Sequence, residues 1–135
     1  MERKVLVFGT FDRLHPGHVA FLREAKNLGR LHVVVARDHN VKHIKGVLPE
    51  HSERVRAAEI TKAFPDADVL LGDAKNFLAP LAIVKPDLIL LGYDQTLPPG
   101  VTMEDLGCEV LRAKAHQPHL FKSSLRRGRS EKSGI

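Results

Sequence analysis

Two imidazoles, those of His15 and His18, lie three residues apart in a segment that also contains Pro16 and Gly17. An apolar run at residues 5–8 precedes them and an amphipathic stretch follows, a pattern that predicts a strand, a tight loop and a helix start. Proline suits the first helical turn, where its missing N–H is not needed. That turn exposes unpaired N–H groups at the positive end of the helix dipole. The segment therefore predicts a phosphate site, at which the two imidazoles can donate hydrogen bonds.

One histidine near a helix start is more often a cap or a surface residue than a catalytic group. Two of them, joined by Pro-Gly directly after a strand, favour the catalytic interpretation. The whole string GTFDRLHPGH, residues 9–18, resembles the signature of the nucleotidyltransferase superfamily with the HxGH motif. Its members include cytidylyltransferases, pantetheine-phosphate adenylyltransferase and small archaeal FAD synthetases. The resemblance implies that a phosphate oxygen of an acceptor attacks the α-phosphate of a nucleoside triphosphate, and that pyrophosphate leaves without a covalent enzyme intermediate.

The resemblance also implies roles for the residues around the motif. His15 and His18 are expected to contact the nucleotide phosphates and to stabilise the transition state. The same phosphates are expected to lie near Gly9 at the strand end, the hydroxyl of Thr10 and the N–H of Phe11. The sequence leaves the role of Asp12 open: it caps the loop, or it has a functional role in orienting His15 or in contacting the acceptor or a metal.

Residues 37–46 follow the second predicted strand and are too polar for the core, so the sequence predicts a loop there. Superfamily members carry lysines in this place that hold the phosphates and the acceptor. Lys45 matches that position best and is the expected catalytic cation, with Lys42 as a weaker candidate for acceptor binding. Arg54 resembles the arginine that opens the next helix of the family and points to phosphate or acceptor. An exposed arginine at a helix start is the structural alternative.

The string LGYDQ at residues 91–95 follows the fourth predicted strand. Gly92 permits close approach of a nucleobase, whose edge backbone groups can pair, and Asp94 can accept ribose or amino hydrogens. The strings LGYDQ, VVARD and IKG resemble the archaeal FAD synthetase branch. In glycerol-phosphate cytidylyltransferases an acidic residue is expected before the aromatic one, whereas here Tyr93 precedes Asp94. The resemblance thus favours ATP over CTP, with FMN as acceptor.

Near the C-terminus, Ser123 and Ser124 stand where the family has a Ser/Thr motif that holds the β- and γ-phosphates. The Gly-Ile that usually precedes this motif is missing, and an N-cap serine is the alternative. His116 and His119 have a spacing that could suit a metal, but no cysteine or carboxylate joins them, so no protein metal site is expected. Magnesium is expected to arrive with the triphosphate.

The elements that must position these groups follow from the apolar pattern. Short apolar runs predict buried strands at residues 4–8, 31–36, 68–71, 88–91 and 109–111. Helical patterns lie between them: one ends at Gly29 as a C-cap, one spans 54–64 with Val55, Ala58 and Ile60 facing inward, and one spans 77–84. The alternation predicts an α/β, Rossmann-like nucleotidyltransferase fold, a five-stranded parallel sheet flanked by helices, with ligands at the carboxyl ends of the strands.

Length and composition agree with one nucleotidyltransferase domain at residues 1–127 and a polar basic tail at 128–135. The chain has no apolar run of membrane-spanning length, no signal-peptide pattern and a single cysteine, which together predict a cytoplasmic protein without membrane association. The net charge of +5 favours anionic partners, which include phosphorylated metabolites and nucleic acid.

The sequence thus predicts an FMN adenylyltransferase, acting as a homodimer, that makes FAD and pyrophosphate from ATP and FMN. One alternative is a CTP-dependent cytidylyltransferase acting on glycerol 3-phosphate or a similar phospho-alcohol. Another is a basic nucleic-acid-binding module. The second is disfavoured because a chain with one tyrosine and no tryptophan has few side chains on which bases can stack.

Overall fold

Five short strands form one parallel sheet in the computed structural model, which describes residues 2–114. The strands are β1 (Lys4–Gly9), β2 (Arg30–Val35), β3 (Asp68–Leu71), β4 (Leu88–Leu91) and β5 (Glu109–Arg112). The connecting helices are α1 (Pro16–Lys26), α2 (Asp38–Lys45), α3 (Glu53–Ala63), α4 (Ala79–Val84) and α5 (Met103–Leu106). The order across the sheet is β3-β2-β1-β4-β5. The predicted α/β, Rossmann-like fold is confirmed, and each strand lies within one residue of its expected bounds.

The central strands are buried on both faces because their side chains alternate between two cores. Val5 and Val7 of β1 pack in the core that also contains α1 and α3 residues. Leu6 and Phe8 of the same strand pack in the other core, against α4. A continuous apolar run is what such a strand requires, which is why the sequence located β1 and β4 well.

The strand order reverses between β1 and β4, which lie side by side in the middle of the sheet. The chain leaves β1 toward β2 on one side, and it continues from β4 to β5 on the other. A crevice opens at such a switch point, beyond the carboxyl ends of the two strands, and ligands of open α/β sheets bind there. The segments that follow Gly9 and Leu91 leave the carboxyl ends of β1 and β4, where such a crevice is expected.

Several helix predictions are wrong. Residues 37–46, expected as a loop, contain α2, which Gly46 ends in the left-handed conformation with φ 87°. Only one side chain of α2, that of Val41, is buried among the described residues, so the helix has almost no apolar periodicity to detect. The short helix α5 was likewise not predicted, and α4 begins at Ala79 rather than at residue 77.

The inward face of α3 also differs from the prediction. Val55 is 45% exposed and Ala58 is exposed, whereas Arg56 and Ile60 are buried. The C-cap of α1 is Asn27 instead of Gly29. Gly29 serves another purpose: a Cβ there would lie 2.3 Å from the carbonyl oxygen of Arg3, so only glycine allows the chain to enter β2 beside β1.

Candidate functional site

The two motif histidines form the N-terminal cap of α1. His15 is the N-cap residue, with extended backbone, and its Nδ1 accepts the N–H of Gly17 at 3.1 Å. The Nδ1 of His18 accepts the N–H of His15 at 3.4 Å. Each histidine thus satisfies an N–H that the helix start would otherwise leave unpaired, a reciprocal capping box built from imidazoles.

This arrangement sets the proton position on both rings. A ring nitrogen that accepts an N–H hydrogen bond carries no proton, so each neutral imidazole carries it on Nε2. The rings stack with centroids 3.7 Å apart and planes at 22°. His18 is 1% exposed, and the ring of Phe11 meets it edge-on with centroids 5.5 Å apart. The geometry therefore presents two parallel imidazoles whose Nε2–H groups are hydrogen-bond donors.

The loop between β1 and α1 has an unusual backbone. Phe11 and Arg13 have φ of 52° and 54°, in the left-handed region that bulky side chains rarely adopt. Burial of the Phe11 ring, which stacks on Phe21 with centroids 6.4 Å apart, offsets part of that strain. Strain of this kind concentrates at functional sites, where a fixed loop shape is required.

Lys45 is brought to this loop although it is distant in sequence. Its Nζ donates to Oγ1 of Thr10 at 3.2 Å. Burial lowers the pKa of Lys45, Asp12 opposes that effect, and Arg56 lowers the pKa further. The structure thus joins two predicted site residues, Lys45 and Thr10, while Lys42 lies exposed on α2. The catalytic role of Lys45 stays a prediction.

Asp12 fastens the loop after β1 to the segment before α3. Its two carboxylate oxygens accept the N–H groups of Glu50 at 2.7 Å and of His51 at 2.9 Å. Burial alone would raise the pKa of Asp12, but these two hydrogen bonds and the charge of Arg56 bring it below its ordinary value. The loop-capping interpretation matches this geometry, whereas acceptor binding by Asp12 stays a prediction.

Arg56 is a site residue that sequence reasoning missed. It is fully buried, and its guanidinium donates to the carbonyl of Thr10 at 2.8 Å, the carbonyl of His51 at 3.0 Å and Oδ1 of Asp38 at 2.6 Å. It therefore connects the loop after β1, the start of α2 and the start of α3. Arg54, the residue singled out in the sequence, is exposed, and its predicted contact with the acceptor is untested.

On the β4 side, the predicted nucleotide segment turns back on itself. Gln95 bridges the switch point: its Oε1 accepts the N–H of Gly92 and its Nε2 donates to the carbonyl of Phe8, each at 2.8 Å. Both carboxylate oxygens of Asp94 are buried and have no hydrogen-bond partner within residues 2–114. Tyr93 is half-exposed, and burial together with Asp94 raises its pKa. A buried carboxylate without a donor points to a ligand.

Ser123 and Ser124 lie outside the described residues, as do His116, His119 and the predicted tail. Within residues 2–114, no group of three or more histidine, cysteine, aspartate or glutamate side chains could hold a metal ion. No helix in that part of the chain is long and apolar enough to cross a membrane.

Replacing Lys45 by alanine is expected to lower kcat/KM for the nucleotidyl transfer that the HxGH resemblance implies, by about tenfold to a hundredfold, because a charged hydrogen-bond donor expected at the phosphates is lost. The melting temperature should change little, since Lys45 as a whole is an exposed residue and only its Nζ reaches the partly buried contact with Thr10. Lys45→Arg should restore activity only in part, because a planar guanidinium does not replace a compact ammonium. Lys42→Ala is the matched control. Equal losses in the two variants would contradict a specific role for Lys45.

Comparison with known proteins identifies relatives along almost the whole chain. A family model described as cytidylyltransferase-like matches residues 6–124. The FAD synthase of Ferroglobus placidus is 44% identical, in an alignment that covers 85% of this chain and 78% of that protein. The FAD synthase of Methanosarcina mazei is 46% identical and the alignment covers 88% and 78%.

One solved structure is similar to this chain in both fold and sequence. The crystal structure of the lipopolysaccharide core biosynthesis protein from Thermoplasma volcanium superposes with a TM-score of 0.77 at 32% identity, covering 87% of this chain and all of that one. The residues that the family model matches, 6–124, include the HxGH capping box and the segment after β4. The chain belongs to the cytidylyltransferase-like family, as its HxGH segment predicted.

Proposed function

We propose that this protein is an FMN adenylyltransferase, which transfers AMP from ATP to FMN and produces FAD and pyrophosphate. The capping box of His15 and His18 supports this reaction type, because it sets two imidazoles at a helix N-terminus, where phosphate binds well. The similarity to archaeal FAD synthases over most of the chain supports the choice of substrates.

The chemistry needs no nucleophile from the protein. A phosphate oxygen of FMN attacks the α-phosphorus of ATP, a P–O bond forms, and the bond to the β-phosphate oxygen breaks. The electron pair leaves with pyrophosphate. The protein has to align the two substrates and to stabilise the negative charge that grows on the transferring and leaving groups. His15 and His18 supply neutral donors for that charge, and Lys45 supplies a cation.

The nucleotide spans the crevice in this proposal. Its phosphates lie against Gly9, Thr10 and Phe11, and its base and ribose lie against the segment from Gly92 to Asp94. The buried carboxylate of Asp94 accepts hydrogens from ribose hydroxyls or from the adenine amino group, since burial without any donor would be costly. Contacts of Ser123 and Ser124 with the triphosphate belong to the same proposal.

An apolar surface beside Lys45 favours a flavin acceptor over a small phospho-alcohol. Ile44, Val47 and Leu48 are 58%, 65% and 59% exposed, although they are large hydrophobic residues. Their segment is anchored at the crevice on one side by the bond of Lys45 to Thr10. Glycerol 3-phosphate has no group that would bury such a surface, whereas the flat ring system of FMN does.

The acceptor phosphate needs cationic and polar groups near that surface, and Lys42, Arg54 and Asp12 are our candidates. Magnesium enters with ATP in this proposal, because a magnesium ion held by substrate phosphates needs few ligands from the protein. A homodimer in the cytoplasm remains part of the prediction.

The test is to incubate the purified protein with ATP or CTP and with FMN or glycerol 3-phosphate, and to measure pyrophosphate and the coupled product. We expect FAD from ATP and FMN only, and a larger thermal shift with a non-hydrolysable ATP analogue than with its CTP counterpart. His15→Ala serves as the control, which should keep the ATP-analogue shift while its turnover falls by about two orders of magnitude or more.

Two results would overturn the proposal. A larger shift with the CTP analogue, together with product from glycerol 3-phosphate, would establish the cytidylyltransferase alternative. No pyrophosphate from any pair, with DNA binding whose log affinity falls linearly with log salt, would establish the nucleic-acid-binding alternative.

A further inference from the structure

The last residue of β5 contacts the segment after β4 in an unusual way. A single guanidinium nitrogen of Arg112, Nη1, donates to the carbonyls of Gly92 and Gln95, each at 2.8 Å, and approaches the carbonyl of Tyr93 at 3.4 Å. Arg112 reaches them because β5 pairs in parallel with β4, in a register that sets Arg112 opposite Leu91. Three carbonyls of one four-residue turn, residues 92–95, therefore converge on one cation.

The same turn is held from the opposite side. The side chain of Gln95 accepts the N–H of Gly92 and donates to the carbonyl of Phe8. The backbone N–H of Gln95 also donates to the carbonyl of Gly92, at 3.1 Å. Because Gln95 ties the turn to β1 and Arg112 ties it to β5, neither side can shift without breaking charged or buried hydrogen bonds.

This double attachment explains how Asp94 stays buried. In the part of the chain that the structure describes, no donor reaches either of its carboxylate oxygens. An unpaired carboxylate gains several kcal/mol by turning toward water, so a loose turn would expose it. A turn whose carbonyls are fixed by Arg112 keeps the carboxylate in its buried position before any ligand arrives.

We propose that Arg112 is a positioning residue for nucleotide binding. It fixes the backbone of the turn at residues 92–95 and thereby holds the carboxylate of Asp94 where a nucleotide can bind to it. The inference rests on the proposed function and specifies which residue outside the crevice sets nucleotide affinity. An exposed arginine at the end of an edge strand carries no such signal in the sequence, because most arginines there are solvated.

The experiment compares Arg112→Met with Arg3→Met. Arg3 is the matched control, because its guanidinium also contacts β5, in an ion pair with Glu109 at 3.4 Å. Unlike Arg112, it lies at the amino-terminal edge of the sheet. Affinity for a non-hydrolysable ATP analogue is measured by titration, and KM for ATP and kcat are measured by pyrophosphate release. Arg112→Lys, Asp94→Asn and the double variant Arg112→Met with Asp94→Asn complete the set.

We expect Arg112→Met to weaken ATP-analogue binding by about tenfold, corresponding to about 1.4 kcal/mol, and to raise KM for ATP while kcat changes less than KM. Arg112→Lys should recover part of the affinity, since an ammonium also donates to carbonyls. Because Arg112 acts through Asp94, the double variant should bind hardly more weakly than either single variant. Arg3→Met should match the wild type.

A purely structural role of Arg112, in which it only holds β5 to the segment after β4, predicts different results. A lower melting temperature of Arg112→Met with unchanged affinity and KM for ATP would overturn the inference, and so would losses that add fully in the double variant. Because the titration needs no FMN, it separates this inference from the proposed function. A wild-type protein that binds the ATP analogue but forms no FAD would refute the proposed acceptor, and the affinities would still decide the role of Arg112.

Discussion

His15→Ala and His18→Ala are each expected to lower kcat for nucleotidyl transfer by about two orders of magnitude or more, the scale measured for a lost oxyanion donor. KM for ATP should change little, because the charge that the Nε2–H groups meet develops mainly in the transition state. Steady-state kinetics of pyrophosphate release on the purified variants checks both numbers.

Both rings also cap α1, so loss of the cap has to be separated from loss of catalysis. His15→Asn is the informative companion, because asparagine is a good N-cap and keeps a donor. It should retain the melting temperature and recover part of kcat, whereas alanine should lose about 0.5–2 kcal/mol of stability with the cap. If the alanine variants kept near-normal kcat and only KM rose, the histidines would be binding groups and the proposed mechanism would fail.

The sequence located these histidines but not their proton positions. Their spacing and the Pro-Gly between them indicate a helix start, which is local information. That each Nδ1 accepts a backbone N–H follows only from the conformation of the cap, in which His18 reaches back to the N–H of His15. The placement of both ring protons on Nε2 therefore follows from the three-dimensional structure of the cap and not from the sequence.

The sequence predicted the strands whose two faces are both buried, but it did not predict a helix with few buried side chains. β1 and β4 are buried on both faces, which leaves a continuous apolar run that length and turn residues delimit. The helix α2 packs mainly through Val41, so nothing in its polar sequence distinguishes it from a loop. The contact of Lys45 with Thr10 depends on that helix, and sequence reasoning could place Lys45 only through the family resemblance.

The burial of charged side chains is the hardest feature to predict from the sequence. Asp94 was expected at the ligand because its string resembles a family motif, and the structure adds that its carboxylate is buried. Arg56 was missed because arginine is rarely buried and Arg54 better resembles a motif position. A signal was available: Arg56 and the apolar Ile60 and Phe64 repeat every four residues, which places them along one side of α3 and its C-cap.

Arg56→Met is expected to destabilise the protein by about 3–5 kcal/mol, because removing one partner leaves the others of a buried network unpaired. Methionine fills a similar volume, so the loss reports hydrogen bonds rather than a cavity. The carbonyls of Thr10 and His51 would lose their donor, while Asp38 is partly exposed and can recover water. A fall in melting temperature on the order of 10 °C, measured by thermal unfolding, corresponds to the lower end of that range.

Arg54→Met is the matched control, since the two arginines lie on the same helix turn and only Arg56 is buried. Its stability should stay within about 0.5 kcal/mol of wild type, as for most surface substitutions. Arg56→Lys should not restore stability, because a lysine nitrogen cannot occupy three separate donor positions at once. Equal stability of Arg56→Met and Arg54→Met would mean that the buried guanidinium does not hold the loop after β1, the start of α2 and the start of α3 together. A selective rise in KM for FMN in Arg54→Met would instead support its predicted contact with the acceptor.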